Sequence, residues 1–198
     1  MNGPQASLRP LERGFYSRYT LEVARDLLGM ILVREVPEGV MAGRIVEVEA
    51  YRGSDDPASH AYRGMTRRNR VMWGKPGTAY VYRIYGIHFC LNVVTEPEGV
   101  PAAILIRAVE PLLGTELMLR NRRVRRLRDL TSGPAKLTKA MLIDEQLNGW
   151  DMTIGKVLYI ARGEPVSDEE VATSPRIGVE DRRPWRFYVR GSPFVSRR

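Results

Sequence analysis

The sequence predicts an α+β fold, with one domain organised around a mostly antiparallel sheet. Strand-like segments follow one another through short turns, as at Pro37–Gly39 and Tyr85–Gly86, instead of alternating regularly with helices. No internal repeat and no linker divides the 198 residues, of which 43% are hydrophobic and 27% are charged. A chain of that length and composition can bury one core, so a single domain is expected.

The first half of the chain contains the strand with the most informative polar residues. The expected elements are a disordered polar tail over 1–10 before a domain over 11–198, a helix capped by Thr20 and ended by Gly29, a strand over 30–36, a turn over 37–39 and a strand over 40–51. Side chains alternate along a strand, so Ile45, Glu47, Glu49 and Tyr51 are expected to share one face. Two carboxylates on so apolar a strand are unusual and mark this face as a candidate site.

The second half predicts shorter elements that follow a long loop. Residues 52–77 are rich in Gly, Pro, Ser, Asp and Arg, and a loop of that length in a compact domain is usually functional. The elements expected after it are strands over 78–84, 87–94 and 102–109, helices over 112–130 and 134–142, and short strands over 157–162, 177–179 and 186–189. The acidic stretch 164–170 is expected to be a surface connection.

The charge of the chain indicates a polyanionic partner. The formal net charge is +8, and only four of the 31 basic residues are lysines. Arginine suits bidentate phosphate contacts, and it clusters over 63–70, 120–128 and 182–198. A solvated charged surface is the competing explanation for any one cluster, but three clusters together favour a polyanion.

The composition argues against several other kinds of protein. With two histidines and the single cysteine Cys90, a Cys/His zinc site of the usual kind cannot be assembled, and Cys90 is expected to pack in the core. No apolar run approaches the roughly 20 residues that span a bilayer, and the N-terminus lacks a signal-peptide core. A reduced, metal-free protein is therefore expected, located in the cytoplasm or, in a eukaryote, in the nucleus.

Six stretches carry a resemblance to a known enzyme family. They are GRIVEVEAY at 43–51, TRRNR at 66–70, KPGTAYVYRIYGIHFCLNVV at 75–94, ILIRAVEP at 104–111, LTSGPAKL at 130–137 and RFYVRGSP at 186–193. In this order they resemble the alkyladenine (3-methyladenine) DNA glycosylase family over about residues 11–196. One such motif would mean little, whereas six in order are specific.

The resemblance implies both a fold and an activity. The fold would be a compact domain with a curved antiparallel sheet flanked by helices and a protruding, DNA-inserting β-hairpin. The activity would be base-excision repair by a monomer that flips alkylated or deaminated purines out of double-stranded DNA. It would hydrolyse the N-glycosylic bond with no cofactor, no metal and no lyase step. The preferred lesion stays open among 3-methyladenine, 7-methylguanine, hypoxanthine and etheno adducts.

The same resemblance assigns catalytic roles to three residues. Glu49 matches a general base that polarises water as the sugar develops oxocarbenium character. Arg107 matches an arginine that helps to hold this water and keeps the carboxylate charged. The backbone carbonyl of Ile177 matches the third partner of the water. From the strand pattern alone, a surface salt bridge to an arginine is the competing explanation for Glu49.

Four further matches describe a pocket for the flipped base. Tyr51 and Tyr82 match aromatic rings that stack on the base and favour cationic alkylated purines, with the sheet core as their alternative location. His60 matches a residue that recognises the edge of the base, and an exposed loop histidine is its alternative. Asn92 matches a side chain that crowds the amino group of normal guanine.

Other residues are expected to contact the rest of the DNA. Tyr85, at the hairpin tip, matches the side chain that fills the gap left by the flipped nucleotide. Ile87 beside it is expected either to wedge into the duplex or to pack in the core. Candidates for contact with the DNA backbone are Arg120, Arg122, Arg123, Lys136 and Arg190. The family often has proline where Arg67 stands, a departure that bears on substrate preference.

Three other activities fit parts of the sequence. A non-enzymatic nucleic-acid-binding domain would use the arginine clusters and would need no carboxylate on an inner strand face. A metal-dependent nuclease would use Glu47, Glu49, Asp55 and Asp56 as oxygen ligands for Mg²⁺. A lyase would need an amine nucleophile beside the sugar, and no lysine is close to the Glu49 strand in the sequence.

Overall fold

Eight strands form one sheet in the computed structural model, which describes residues 8–196. The strands are β1 (Ile31–Val36), β2 (Gly39–Tyr51), β3 (Ala79–Ile84), β4 (His88–Val94), β5 (Ala103–Leu113), β6 (Leu158–Ala161), β7 (Val171–Ser174) and β8 (Arg186–Val189). The α-helices are α1 (Arg13–Tyr16), α2 (Thr20–Leu27), α3 (Thr115–Arg122) and α4 (Pro134–Ala140). Short 3₁₀ helices cover Arg70–Trp73, Leu127–Asp129, Glu145–Leu147 and Asp168–Glu170.

The sheet is curled and its paired strands run antiparallel, so the predicted fold class is confirmed. Its order is β3-β4-β5-β2-β1-β6, and β8 forms a branch between β2 and β7. The branch arises on one edge of β2, where residues 39–44 pair with β1 and residues 47–49 pair with β8. The other edge of β2 pairs with β5. As a result, β8 lies beside the part of β2 that carries the predicted site.

Three register shifts interrupt the pairing of β2 with β5, and two of them lie at the predicted site. The register pairs Ile45 with Val109, Glu47 with Ala108 and Val48 with Ile106. Val46 and Arg107 are therefore extra residues, each without a partner in the other strand. Because of the bulge, Ile45 and Val46 both enter the main hydrophobic core, so the prediction that Ile45 shares a face with Glu47 and Glu49 is wrong.

The main core lies between the sheet and the helices. Helix α2 buries Val23, Ala24 and Leu27, whose spacing of one, three and four residues places them on one face. Helix α4 buries Leu137 and Ala140 and packs mainly on β4. Val48 and Ala50, on either side of Glu49, enter this core, so the Glu49 side chain lies on the opposite face of β2.

A distant carboxylate caps helix α2, and the predicted cap by Thr20 is wrong. Tyr19 is the N-cap residue and makes no side-chain capping bond, while Thr20 is the first helical residue. Instead, the Glu96 carboxylate accepts hydrogen bonds from the Thr20 backbone N–H at 2.9 Å and from its Oγ1 at 2.8 Å. A buried anion at a helix N-terminus satisfies free N–H groups and interacts favourably with the helix dipole.

Two predicted elements differ from the observed ones. The helix expected over 112–130 is limited to α3, because β5 continues to Leu113 and Arg123 ends the helix with a φ of 55°. The strand expected over 177–179 is a turn, since Gly178 has a φ of 80° and the Ile177 N–H donates to a side chain. Helix α1 and strand β7 have no counterpart in the sequence prediction.

Buried polar side chains organise the long loop over 52–77. The Asn69 amide nitrogen donates to the carbonyls of His60 at 2.7 Å and Gly64 at 3.0 Å. Its amide oxygen accepts from the Thr66 backbone N–H at 2.6 Å. The loop is therefore a folded structure with a defined shape, although it contains little regular secondary structure.

The start of the described chain contacts the sheet. Pro10 forms an isolated β-bridge with Ala161, and the Arg9 carbonyl accepts from the Arg162 N–H at 2.9 Å. Residues 8–10 of the predicted tail thus lie against the domain, and residues 1–7 lie outside the described residues. Within 8–196, none of the helices has the length and apolar character needed to cross a membrane.

Candidate active site

Glu49 lies at the centre of the candidate site, and its side chain is fully buried. Its Oε1 accepts a hydrogen bond from the Ile177 backbone N–H at 2.7 Å. Its Oε2 accepts one from the Tyr51 hydroxyl at 2.9 Å and one from Arg107 Nη1 at 3.2 Å. A buried carboxylate is unfavourable unless it is paired and hydrogen-bonded, and these three donors meet both needs.

Arg107 connects Glu49 to a second buried carboxylate, Glu47. Its Nε donates to Glu47 Oε1 at 3.0 Å. Glu47 also accepts from Arg186 Nε at 2.7 Å and from the backbone N–H and hydroxyl of Ser196 at 2.6 and 2.7 Å. Burial would lower the pKa of Arg107, but the carboxylates of Glu49 and Glu47 raise it above its usual value, so the guanidinium stays charged.

A cavity of about 310 Å³ opens beside Glu49, and the three residues that donate hydrogen bonds to its carboxylate line it. This volume is at the lower end of the range for ligand pockets, roughly 300–1,000 Å³. The predicted pocket residues that line the cavity are Tyr51, His60, Tyr82 and Asn92. The structure therefore brings the predicted catalytic residues and the predicted pocket residues to one place.

Aromatic rings form one wall of the cavity. The Tyr82 ring contacts the His60 ring edge to face, with centroids 4.6 Å apart, and lies 5.1 Å from the Tyr80 ring. The Tyr80 hydroxyl is 2.9 Å from His60 Nδ1. His60 lines the cavity but keeps part of its surface exposed. Its partial burial lowers its pKa, and the charge of Arg68 lowers it further. The imidazole is therefore neutral at neutral pH, with one ring nitrogen engaged by Tyr80.

Strand β4 contributes Asn92 and Cys90 to the lining of the cavity. The Asn92 amide nitrogen donates to the Tyr80 carbonyl at 3.1 Å, which fixes the orientation of the side chain. Cys90 is buried, as expected from its apolar surroundings, but it also lines the cavity. Burial raises the pKa of its thiol to about 11, so it is not a thiolate at neutral pH.

The β3–β4 hairpin presents two apolar side chains to solvent at the edge of the cavity. Tyr85 is 90% exposed and Ile87 is 74% exposed. Tyr85 and Gly86 have φ values of 49° and 72°, and a bulky residue such as tyrosine rarely adopts a positive φ. The alternative core position for Ile87 is wrong, because the turn places its side chain outside the fold.

The predicted DNA-backbone residues differ in their availability. Arg120, Arg123 and Arg190 are exposed. The Arg122 side chain is partly buried and donates to the Asp129 carbonyl at 3.1 Å, so it stabilises the segment after α3. Lys136 lies on α4, whose first residue, Pro134, lines the cavity.

A buried charge network behind the cavity has no counterpart in the sequence prediction. It consists of Asp56, Arg176, Asp181 and Arg183. The sequence offers two signals for it: an arginine directly before Ile177, and an aspartate followed by two arginines over 181–183. Arg183 and Arg186 belong to the arginine cluster 182–198 that suggests a polyanion, yet both form ion pairs inside the protein.

The four carboxylates of the nuclease alternative do not converge on one point. Glu47 and Glu49 share Arg107, Asp56 pairs with Arg176 and Arg183, and the more exposed Asp55 pairs with Arg52. Within residues 8–196, no group of three or more His, Cys, Asp or Glu side chains could hold a metal ion. The donor set is thus engaged by arginines and does not fit an Mg²⁺ site.

Comparison with known proteins gives a consistent result over nearly the whole chain. A family model described as methylpurine-DNA glycosylase matches residues 14–193. A protein of Methanocella arvoryzae is 55% identical over 194 residues, covering 95% of this chain and 96% of the relative. A protein of Carboxydothermus hydrogenoformans is 50% identical over 190 residues, covering 95% and 99%. Both relatives carry the name "Putative 3-methyladenine DNA glycosylase".

Proposed function

The chain belongs to the methylpurine-DNA glycosylase family, and from this premise we propose that it excises damaged purines from double-stranded DNA. The reaction is hydrolysis of the N-glycosylic bond of a flipped alkylated or deaminated purine, as the first step of base-excision repair. One observation carries the proposal. A fully buried, arginine-paired carboxylate stands beside an aromatic cavity whose edge bears an exposed tyrosine.

Glu49 acts as the general base in the proposed reaction. A water molecule held by its carboxylate attacks C1′ of the sugar as the C1′–N bond breaks and the bonding electrons leave with the purine. The water proton moves to Glu49. Arg107 donates to one oxygen of the carboxylate, and the Ile177 N–H fixes its second oxygen. The Ile177 carbonyl is proposed to hold the same water.

The cavity and the hairpin perform the recognition step. Tyr51 and Tyr82 stack on the flipped purine, neutral His60 contacts its edge, and Asn92 excludes the amino group of normal guanine. Tyr85 fills the space that the base leaves in the duplex, and Ile87 widens the adjacent base-pair step. The exposure of both tip residues in the free protein supports this role, since a monomeric fold gains nothing from them.

Base release by Glu49→Gln tests the mechanism. Duplexes that each carry one defined lesion are incubated with the protein, and abasic sites are counted. We expect the variant to fold and bind DNA but to lose base release by at least roughly 10²-fold, because the amide cannot accept the water proton. Asp55→Asn, an exposed carboxylate nearby, is the matched control and keeps normal activity. Normal release of 3-methyladenine by Glu49→Gln would rule out Glu49 as the base.

The same assay separates the other activities. A nuclease would cut the backbone, would lose activity in EDTA and would need Asp55, whereas the proposed glycosylase is unaffected by EDTA and by Asp55→Asn. A binding protein without catalysis would retain lesion DNA without producing abasic sites. A lyase needs an amine at the sugar, and within residues 8–196 no lysine lines the cavity, which supports simple hydrolysis.

A further inference from the structure

Arg176 occupies a hub directly behind the proposed catalytic base. It precedes Ile177, whose N–H holds Glu49 Oε1, and its own side chain is fully buried. The guanidinium reaches three separate segments of the chain. They are β2, the loop over 52–77, and the turn that follows Ile177.

The hydrogen bonds of Arg176 fix the position of each segment. Its Nη1 donates to the Ala50 carbonyl at 2.7 Å and to Asp56 Oδ2 at 2.6 Å. Its Nη2 donates to Asp56 Oδ1 at 2.8 Å and to Asp181 Oδ2 at 2.9 Å. The pair with Asp56 is bidentate, the geometry that gives an arginine–carboxylate contact both strength and direction. Ala50 lies between Glu49 and Tyr51, so the first contact anchors the catalytic part of β2.

The plane of the same guanidinium supports an aromatic side chain of the cavity. Its central carbon is 4.6 Å from the centroid of the Tyr51 ring and 5.2 Å from that of Trp185. Tyr51 lines the cavity, whereas Arg176 does not, so the arginine lies behind the ring. One buried side chain therefore contacts the ring that donates to Glu49 Oε2 and precedes the residue that donates to Oε1.

We propose that Arg176 is a positioning residue for base release, which acts through Ile177 and Tyr51 to hold the Glu49 carboxylate and the stacking ring in their reactive geometry. This inference rests on the proposed function. A displacement of about 1 Å in a catalytic group can cost roughly 10²-fold in rate without a comparable change in affinity. The consequence of losing Arg176 should therefore be a slower chemical step.

Arg183 provides a matched control inside the same network. It also pairs with Asp56 and Asp181, and it stacks on Trp185 at 3.9 Å. Unlike Arg176 it contacts neither Ala50 nor Tyr51, and its side chain is 29% exposed. Loss of Arg183 weakens the network as a structural unit, while loss of Arg176 also releases the catalytic base.

The experiment compares Arg176→Lys, Arg176→Gln and Arg183→Gln with the wild-type protein. Melting curves establish a temperature at which each variant is folded. At that temperature the affinity for lesion duplex and the single-turnover rate of base release are measured separately. We expect Arg176→Lys to lower the rate roughly tenfold to hundredfold with a dissociation constant within about threefold of wild type. Arg183→Gln should keep the rate within about threefold.

Three outcomes have distinct meanings. A rate for Arg176→Lys equal to that of Arg183→Gln would overturn the positioning role. If neither Arg176 variant folds, Asp181→Asn removes one anchor of the same guanidinium, and a wild-type rate for it would also overturn the role. No base release by the wild-type protein on any lesion would instead contradict the proposed function, independently of Arg176.

Discussion

The buried ion-pair network of Glu47, Glu49 and Arg107, which we call the floor, contrasts with the tip of the β3–β4 hairpin. Side chains of the floor find their partners within the protein, whereas those of the tip face solvent. At the floor, Glu47 and Glu49 are fully buried, and Arg107 is bonded to both. At the tip, Tyr85 and Ile87 are 90% and 74% exposed, and the turn holds Tyr85 at a positive φ.

The contrast shows how the work is divided in the proposed enzyme. Chemistry requires groups whose charge and direction are set before the substrate arrives, and a closed network of ion pairs provides that preorganisation. Distortion of DNA requires groups that find their partners only in the duplex, so they are unpaired in the free protein. Substitutions at the floor should therefore lower both stability and function, whereas substitutions at the tip should lower function alone.

The largest effect is expected at the floor, for Arg107→Gln. Removing one partner of a buried ion pair leaves Glu47 and Glu49 undercompensated, at a cost of about 3–5 kcal/mol. For a chain of this size, that corresponds to a fall in Tm of roughly 6–20 °C. Thermal unfolding checks the value, and base release should be lost as well. A Tm within 2 °C of wild type would correspond to a loss of roughly 1 kcal/mol of stability at most. That result would show that the floor is not a closed network.

The next effect is expected at the tip, for Tyr85→Ser. The flipped state loses its substitute for base stacking, at about 1–3 kcal/mol, which is roughly a tenfold to hundredfold loss of excision from duplex DNA. The loss should shrink for an unpaired or single-stranded lesion, where little unstacking is needed. The Tm should stay nearly unchanged, because an exposed side chain contributes little to folding.

Tyr19→Ser, another exposed tyrosine but away from cavity and hairpin, is the control for Tyr85→Ser. It should not alter the ratio of duplex to single-strand activity. The contrary outcome is that Tyr85→Ser loses the same activity on both substrates and shows a large drop in Tm. That outcome would make Tyr85 a residue that stabilises the fold and would contradict the contrast between tip and floor.

A smaller effect is expected for the exposed arginines around the site. Binding should weaken steeply with salt, since arginines displace counterions from the phosphates. If Arg120 contacts one phosphate, Arg120→Gln lowers the slope of log Kd against log salt by about 0.9. Arg122→Gln is the matched control. It should leave the slope unchanged and reduce Tm, because Arg122 bonds to the Asp129 carbonyl. A salt-independent Kd would exclude the arginines as the DNA surface.

The smallest effect concerns the proton equilibrium of His60. Burial and the positive charge of Arg68 both lower its pKa, so Arg68→Gln should raise the pKa toward the ordinary value of about 6.5. The pKa of His60 is lower in the folded protein than in the unfolded chain. As the pH falls below the unfolded value of about 6.5, the unfolded chain binds a proton first and the folded protein loses stability. Arg68→Gln should reduce this loss. NMR titration of the imidazole measures the shift. An unchanged or lower pKa would show that Arg68 does not act on the cavity.

The parts of the molecule that the sequence predicts well are those set by local patterns. Alternation placed Glu49 and Tyr51 on one face of β2, and the Tyr85–Gly86 pair indicated the hairpin, because both depend only on neighbouring residues. The helix expected over 112–130 was too long because a run of arginines is compatible with a helix but supplies no apolar stripe to stabilise one.

The parts that the sequence does not predict are contacts between distant segments. Arg176 and Asp56 are 120 residues apart, and Arg186 and Glu47 are 139 apart. Apart from the aspartate next to the arginines at 181–183, nothing in the local sequence separates an arginine that pairs inside the protein from one that faces phosphate. The bulge at Val46 cannot be predicted from the sequence of β2 either, because it is defined by the register of β2 against β5.

The branch that places β8 beside β2 has a consequence for the synthesis of the protein. Glu49 leaves the ribosome 128 residues before Ile177, and Glu47 leaves it 149 residues before Ser196. At the usual speed of translation, the two carboxylates wait roughly 6–30 s for these partners. A nascent chain can thus carry Glu49 and the hairpin without an assembled base-release site. The candidate site can assemble only after residues 177–196 have been synthesised and have folded against β2.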